Sequence, residues 1–232
     1  MSDRQVQWTI SDIVVASVLF LIAITGGSFI ISVLLAQVAP RVGSIFVFVI
    51  GYVVLFFLIW YLAITKRGAD WPALGFRPFD LLRGLGLVII WFFLVRIIIF
   101  LYVLFIERIG VKPPDDITRR LPEIFGTDIL GILLAVIVVA VVAPFIEELF
   151  FRGFIYPVFR QRWGVTIAII ANGLLFALFH FNLLVFVPIA VIGFALAYLF
   201  EQTNSLGPPT MLHALNNFIS VFLVYYSRVF AL

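Results

Sequence analysis

The chain has 232 residues, of which 64% are hydrophobic and only 12% charged, with a formal net charge of +3. About a quarter of the residues of a soluble domain are charged, so this composition, with a mean hydropathy of +1.23, excludes an ordinary soluble domain and makes lipid the expected solvent. Cysteine is absent, which rules out a disulfide framework, a thiolate nucleophile and a cysteine-based zinc site.

A polar stretch, MSDRQVQWTISD, precedes an apolar run from about Ile13 to Val38. That run exceeds the ~7–15 residues of a signal-peptide core and reads as an uncleaved first helix. Further apolar runs cover 43–65, 85–106, 129 through the Glu147 region, 165–181, 183–200 and 208–230. At ~20 residues per crossing, they predict an all-α, polytopic transmembrane bundle of about seven helices, or eight. Polar connections fall at 66–83 and at 107–128, where PPDD and TRRLPE predict a surface loop with a short amphipathic piece. The chain divides accordingly into an N-terminal part, 1–125, with three helices and the polar loop, and a core, 126–232, with the other four.

The Lys and Arg residues lie mostly between apolar runs, where they orient helices rather than bind nucleic acid. Arg4, Lys66, Arg67, Arg77, Arg83, Arg152, Arg160 and Arg162 fall on the side of the N-terminus, against Arg41, Arg108, Lys112, Arg119, Arg120 and Arg228. The excess favours a cytoplasmic N-terminus in a plasma membrane. Arg96, inside the third run, costs ~2.5–3.5 kcal/mol on insertion scales, so it must pair or snorkel.

The fourth run leads into AVVAPFIEELFFRGF, which places Glu147, Glu148 and Arg152 among aliphatic and aromatic residues. Residues four apart share a helix face, so Glu148 and Arg152 form an i,i+4 pair with the acid nearer the N-terminus. Glu147, about 100° around the helix, is left for another task. Phe176 lies one turn before His180, and His213 one turn before Asn217; these are the only two histidines. A lone pair of this kind is ordinary helix glue. Together these groups cost on the order of 10 kcal/mol to insert, which favours a functional site. Pro144 removes a backbone N–H just before the glutamates and is expected to kink the helix there.

These residues make three short motifs in order: EExxxR (Glu147, Glu148, Arg152), FxxxH (Phe176, His180) and HxxxN (His213, Asn217). In this the chain resembles the CPBP family, also called Abi, of CAAX prenyl proteases and bacteriocin-processing enzymes, over about 129–226. The resemblance implies an intramembrane protease that cleaves a membrane-associated, prenylated or leader-peptide substrate. It implies Glu147 as general base, His180 holding the attacking water, His213 and Asn217 stabilising the oxyanion, and Glu148, Arg152 and Phe176 in support. No cofactor is required in that reading, although Glu147, His180 and His213 could ligate zinc with an open position. HExxH, GxGD and GxSxG are absent, and GLG at 84–86 lacks the third glycine of a dinucleotide site. The competing classes are a non-catalytic immunity-type scaffold and a proton-coupled transporter. Membrane lipid and a peptide or protein in the membrane are the expected partners.

Overall fold

A long continuous apolar run in lipid satisfies its backbone groups within its own segment only as a helix, and the apolar runs accordingly fold as helices. The computed structural model describes residues 6–35, 40–110 and 116–230; the side chains of 31, 32, 35, 40–42, 44, 116–120 and 227–230 are not described. Arg4 and Lys112 therefore lie outside the described residues, and Arg41, Arg119, Arg120 and Arg228 outside the described side chains.

Helix α1 is Ile10–Leu35, and α2 is Pro40–Ile59 with a π-helical end, Trp60–Thr65. A single turn, Trp71–Leu74, leads to α3, Leu81–Arg108. The amphipathic piece expected in the polar loop is α4, Asp116–Phe125. The fourth and fifth apolar runs form one helical stretch, Ile129–Leu178, of 50 residues. It is broken at Gly164, where φ is 77° and ψ 175°, a conformation that favours glycine. We label 129–163 α5 and 165–178 α6. The reversal comes at one residue, and 156–163, just before the fifth apolar run, is helical. Phe186–Thr203 is α7 and Gly207–Phe230 is α8. Seven long helices and one short one are thus present among the described residues, and no strand.

Caps set several boundaries. Asp80 Oδ1 accepts from Arg83 N at 2.9 Å, and Asp128 Oδ1 from Gly131 N at 2.8 Å, satisfying donors that open α3 and α5. A Cβ at Gly131 would stand 2.2 Å from the Phe125 carbonyl oxygen, so the tight turn from α4 into α5 needs glycine. Outward residues of α3 such as Phe93, Ile97, Phe100 and Leu104 are exposed apolar side chains, as a lipid-facing surface requires. The interior is centred on α5, where Leu149, Phe150, Phe154, Ile155 and Tyr156 are fully buried.

One end of the bundle is tied by polar contacts. Asp12, only 1% exposed, pairs with Lys66 and Arg67 at 2.9 Å each. Trp8 Nε1 donates to the Phe154 carbonyl at 2.6 Å, and Arg160 pairs with Glu201 at 2.8 Å. Ser205 Oγ donates to Arg77 O and Leu206 N to Gly75 O. The neighbouring Leu74 carbonyl rests on Gly153, leaving no room for a Cβ there. The start of α8 is therefore level with Gly153 rather than with the Gly164 break. From that level His213 is six residues up α8 and Glu148 five residues up α5. At 1.5 Å per residue, both groups stand ~8–9 Å above it.

Candidate active site

The glutamates are positioned by an irregular stretch of α5. Val136–Val142 is π-helical, with Ala143 N bonded to Val138 O, and the next residue, Pro144, has no N–H to give. Val139 O thereby loses its in-helix partner. Asn217 Nδ2 takes that place, donating to Val139 O at 2.8 Å. The expected proline kink is a π-bulge with a side-chain plug, and it locks α8 to α5 about two turns from the carboxylates.

Glu148 and Arg152 are both 0% exposed and pair at 2.9 Å, as their spacing predicted. Arg152 Nη2 also donates to Gly193 O at 3.0 Å, and its guanidinium lies 4.6 Å from the centroid of the Phe176 ring. Glu148 Oε1 meets His213 Nδ1 at 2.8 Å, so a buried carboxylate orients both the guanidinium and the imidazole. With Nδ1–H donated to Glu148, Nε2 of His213 points the other way, to Glu147 Oε2 at 3.8 Å. Glu147 is 20% exposed, and its Oε1 accepts from Tyr52 Oη at 2.8 Å. The residue that sequence spacing leaves without a partner is thus held by α2.

His180 falls in the turn just after α6 and is exposed. Its Nδ1 lies 2.8 Å from Phe176 O, which as acceptor fixes that nitrogen as the donor and leaves Nε2 as an acceptor. The buried Phe176 ring is the hinge of the site: it meets His180 edge-on at 4.8 Å and His213 at 5.4 Å between centroids. Glu147, His180, His213, Asn217, Tyr52 and Arg96 all line one cavity of about 640 Å³, whose remaining wall is mostly apolar. Leu121, Ile124 and Phe125 of α4 close part of it.

Three participants escaped the sequence reading. Tyr52 is 95 residues from Glu147 in the chain and carries no local signal. Arg96 pairs with Asn216, whose Oδ1 accepts from Nη2 at 2.6 Å; Asn216, beside the motif residue Asn217, was overlooked. Asn172, fully buried, donates to Phe151 O at 2.8 Å and ties α6 to α5. Among the described residues, no three His, Cys, Asp or Glu side chains converge closely enough to hold a metal ion. Glu147, His180 and His213 are not gathered within metal-binding distance of one another in this arrangement.

Fold and site define a polytopic helical membrane protein with carboxylates and imidazoles converging on an internal cavity. Residues 129–219 match the family model described as type II CAAX prenyl endopeptidase Rce1-like. The chain is also 31% identical over 132 residues to UPF0177 protein YbdI of Lactococcus lactis subsp. lactis (strain IL1403), covering 57% of this chain and 69% of that protein. No solved structure matches. The chain belongs to the CPBP family, whose Rce1-like members are membrane peptidases, and all three of its motifs contribute to the cavity or to the pair behind it.

Proposed function

We propose that the protein is an intramembrane endopeptidase that hydrolyses a peptide bond of a membrane-associated substrate with a water activated by Glu147. One observation carries this reading: Tyr52 holds Oε1 of Glu147, so that Oε2 faces His213 Nε2 across 3.8 Å on the wall of the cavity. A water at ~2.8 Å from each fits that gap. Glu147 takes one of its protons while its oxygen attacks the carbonyl carbon. His180, with Nδ1 spent on Phe176 O, accepts the other hydrogen at Nε2 and aims the water.

With His213 protonated, the carboxylates of Glu147 and Glu148 are balanced by Arg152 and His213, a condition for burying so many charges. His213 Nε2–H and the second N–H of Asn217 then donate to the oxyanion, each preorganised donor contributing ~3–4 kcal/mol to the transition state. As the C–N bond breaks, Glu147 returns its proton to the leaving amine, so protons balance and the site is restored. The apolar cavity wall suits a hydrophobic or lipidated segment, with a prenylated protein, a leader peptide or a membrane protein as substrate. Lys66, Arg67, Arg83 and Arg160 share the bundle end that Trp8 and Asp12 occupy, as their contacts there record. This supports a cytoplasmic N-terminus.

The test is cleavage of a fluorogenic membrane-peptide library by the full chain in lipid nanodiscs. Wild type should cleave with chelator present, while Glu147→Gln and His180→Ala should not. Loss with chelator and rescue by zinc would overturn the metal-free step. Silence of folded wild type on every substrate would favour the non-catalytic scaffold.

A further inference from the structure

Arg96 is the sixteenth residue of a 28-residue helix, so it lies near mid-helix, far from either end to which it could snorkel. Its hydrogen bonds among the described residues both use Nη2 and both go to neutral oxygens of Asn216, Oδ1 at 2.6 Å and the carbonyl at 3.3 Å. Nε is enclosed without a partner. Nη1 has no hydrogen bond among the described residues, and the Arg96 side chain lines the cavity.

No described carboxylate lies within ion-pair distance of Arg96, whereas Arg152 pairs with Glu148 at 2.9 Å. The two guanidiniums thus differ in kind: Arg152 is paired with the site's own acid, and Arg96 has no counter-ion among the described residues. An isolated charge at that depth is strongly disfavoured, and a guanidinium presents a fork of donors that matches a carboxylate.

We propose that Arg96, held in place by Asn216, is an anion subsite of the cavity that binds a carboxylate of the peptide occupant and so selects which peptides enter. The peptide occupant rests on the proteolytic reading; the anion subsite rests on Arg96 alone. Asn216 is three residues, one ~4.5 Å rise, along α8 from His213. A bound carboxylate therefore lies within a few residues of the peptide bond that faces Glu147, given ~3.3 Å per extended residue. Two sources share this chemistry, the peptide's C-terminal carboxylate and an acidic side chain.

The experiment measures binding, not cleavage, with the full Glu147→Gln chain in phosphatidylcholine nanodiscs. The probes are a dansylated hydrophobic hexapeptide as its free acid, as its C-terminal amide, and as the amide with one internal glutamate. The free acid, the glutamate-bearing amide, or both should bind at least tenfold more tightly than the plain amide, and which of them does so identifies the source. Arg96→Gln should abolish that preference while leaving the affinity for the plain amide unchanged, and Arg96→Lys should retain part of it. Asn216→Asp provides a second route: it supplies an internal carboxylate beside an intact guanidinium and should also abolish the preference. Equal binding of all three peptides, binding of none, or a preference that persists in Arg96→Gln would overturn the subsite. Tight carboxylate-dependent binding without cleavage by wild type would remove the proteolytic reading and leave the subsite standing.

Discussion

Replacing Glu148 by glutamine should destabilise the protein far more than the same change at Glu147, although both should abolish cleavage. Glu148 and Arg152 are 0% exposed and 2.9 Å apart, and Glu148 also anchors His213 at 2.8 Å. Removing the carboxylate leaves a buried guanidinium uncompensated, which costs ~3–5 kcal/mol. At ~2–4 °C per kcal/mol for a chain of this size, the unfolding midpoint should fall by roughly 6–20 °C. Glu147 is 20% exposed, and a glutamine there still accepts from Tyr52, so its cost should stay within ~1 kcal/mol. Thermal unfolding in a mild detergent, followed by intrinsic fluorescence, measures both. Adding Arg152→Met to Glu148→Gln removes the orphaned charge and should restore much of the lost stability without restoring cleavage. Equal destabilisation by the two glutamine variants, or a Glu148→Gln protein as stable as wild type, would refute the division of labour between the two glutamates.

Three further expectations follow from the geometry. Tyr52→Phe removes the one hydroxyl on Glu147 Oε1; hydrogen bonds to charged groups contribute ~1.5–3 kcal/mol, so kcat should fall roughly tenfold or more with KM little changed, as steady-state kinetics would read. Asn217→Ala strips Val139 O of its donor and should cost ~1–3 kcal/mol along with activity. Adding Pro144→Ala restores a backbone N–H and should recover stability in a melting experiment but not turnover. Gly193→Ala places a Cβ 2.8 Å from the Gly173 backbone, which must push α7 from α6 and disturb the Arg152 anchor. Thermal unfolding should show a loss of ~1–3 kcal/mol.

The local part of the site was legible because helical spacing is local. Glu148 with Arg152, and Phe176 with His180, meet at i,i+4 as the spacing requires. The Pro144 signal was read only halfway: a missing N–H predicts a freed carbonyl, but not that Asn217, 78 residues on, would cap it. Arg96 announced itself as an inserted charge, yet its partner Asn216 lies 120 residues away and no spacing rule connects them. Gly164 showed no sign that one residue would turn a 50-residue helical stretch back on itself.

Composition and the lengths of the apolar runs determined by themselves that this is an all-helical membrane bundle, because lipid admits only helices and closed barrels and continuous apolar runs of ~20 residues are not the short alternating segments of a barrel. The order of the polar residues likewise marked which side chains make up the candidate site, since inserting them costs so much. Only the tertiary structure decided how they share the work. It set Glu148 against Arg152 and His213, handed Glu147 to Tyr52, and left Arg96 facing the cavity. Those pairings depend on helix depth and rotation. Depth is fixed where the 204–207 turn docks on Gly75–Arg77 and Leu74 rests on Gly153, contacts between segments remote in the chain that no periodicity encodes.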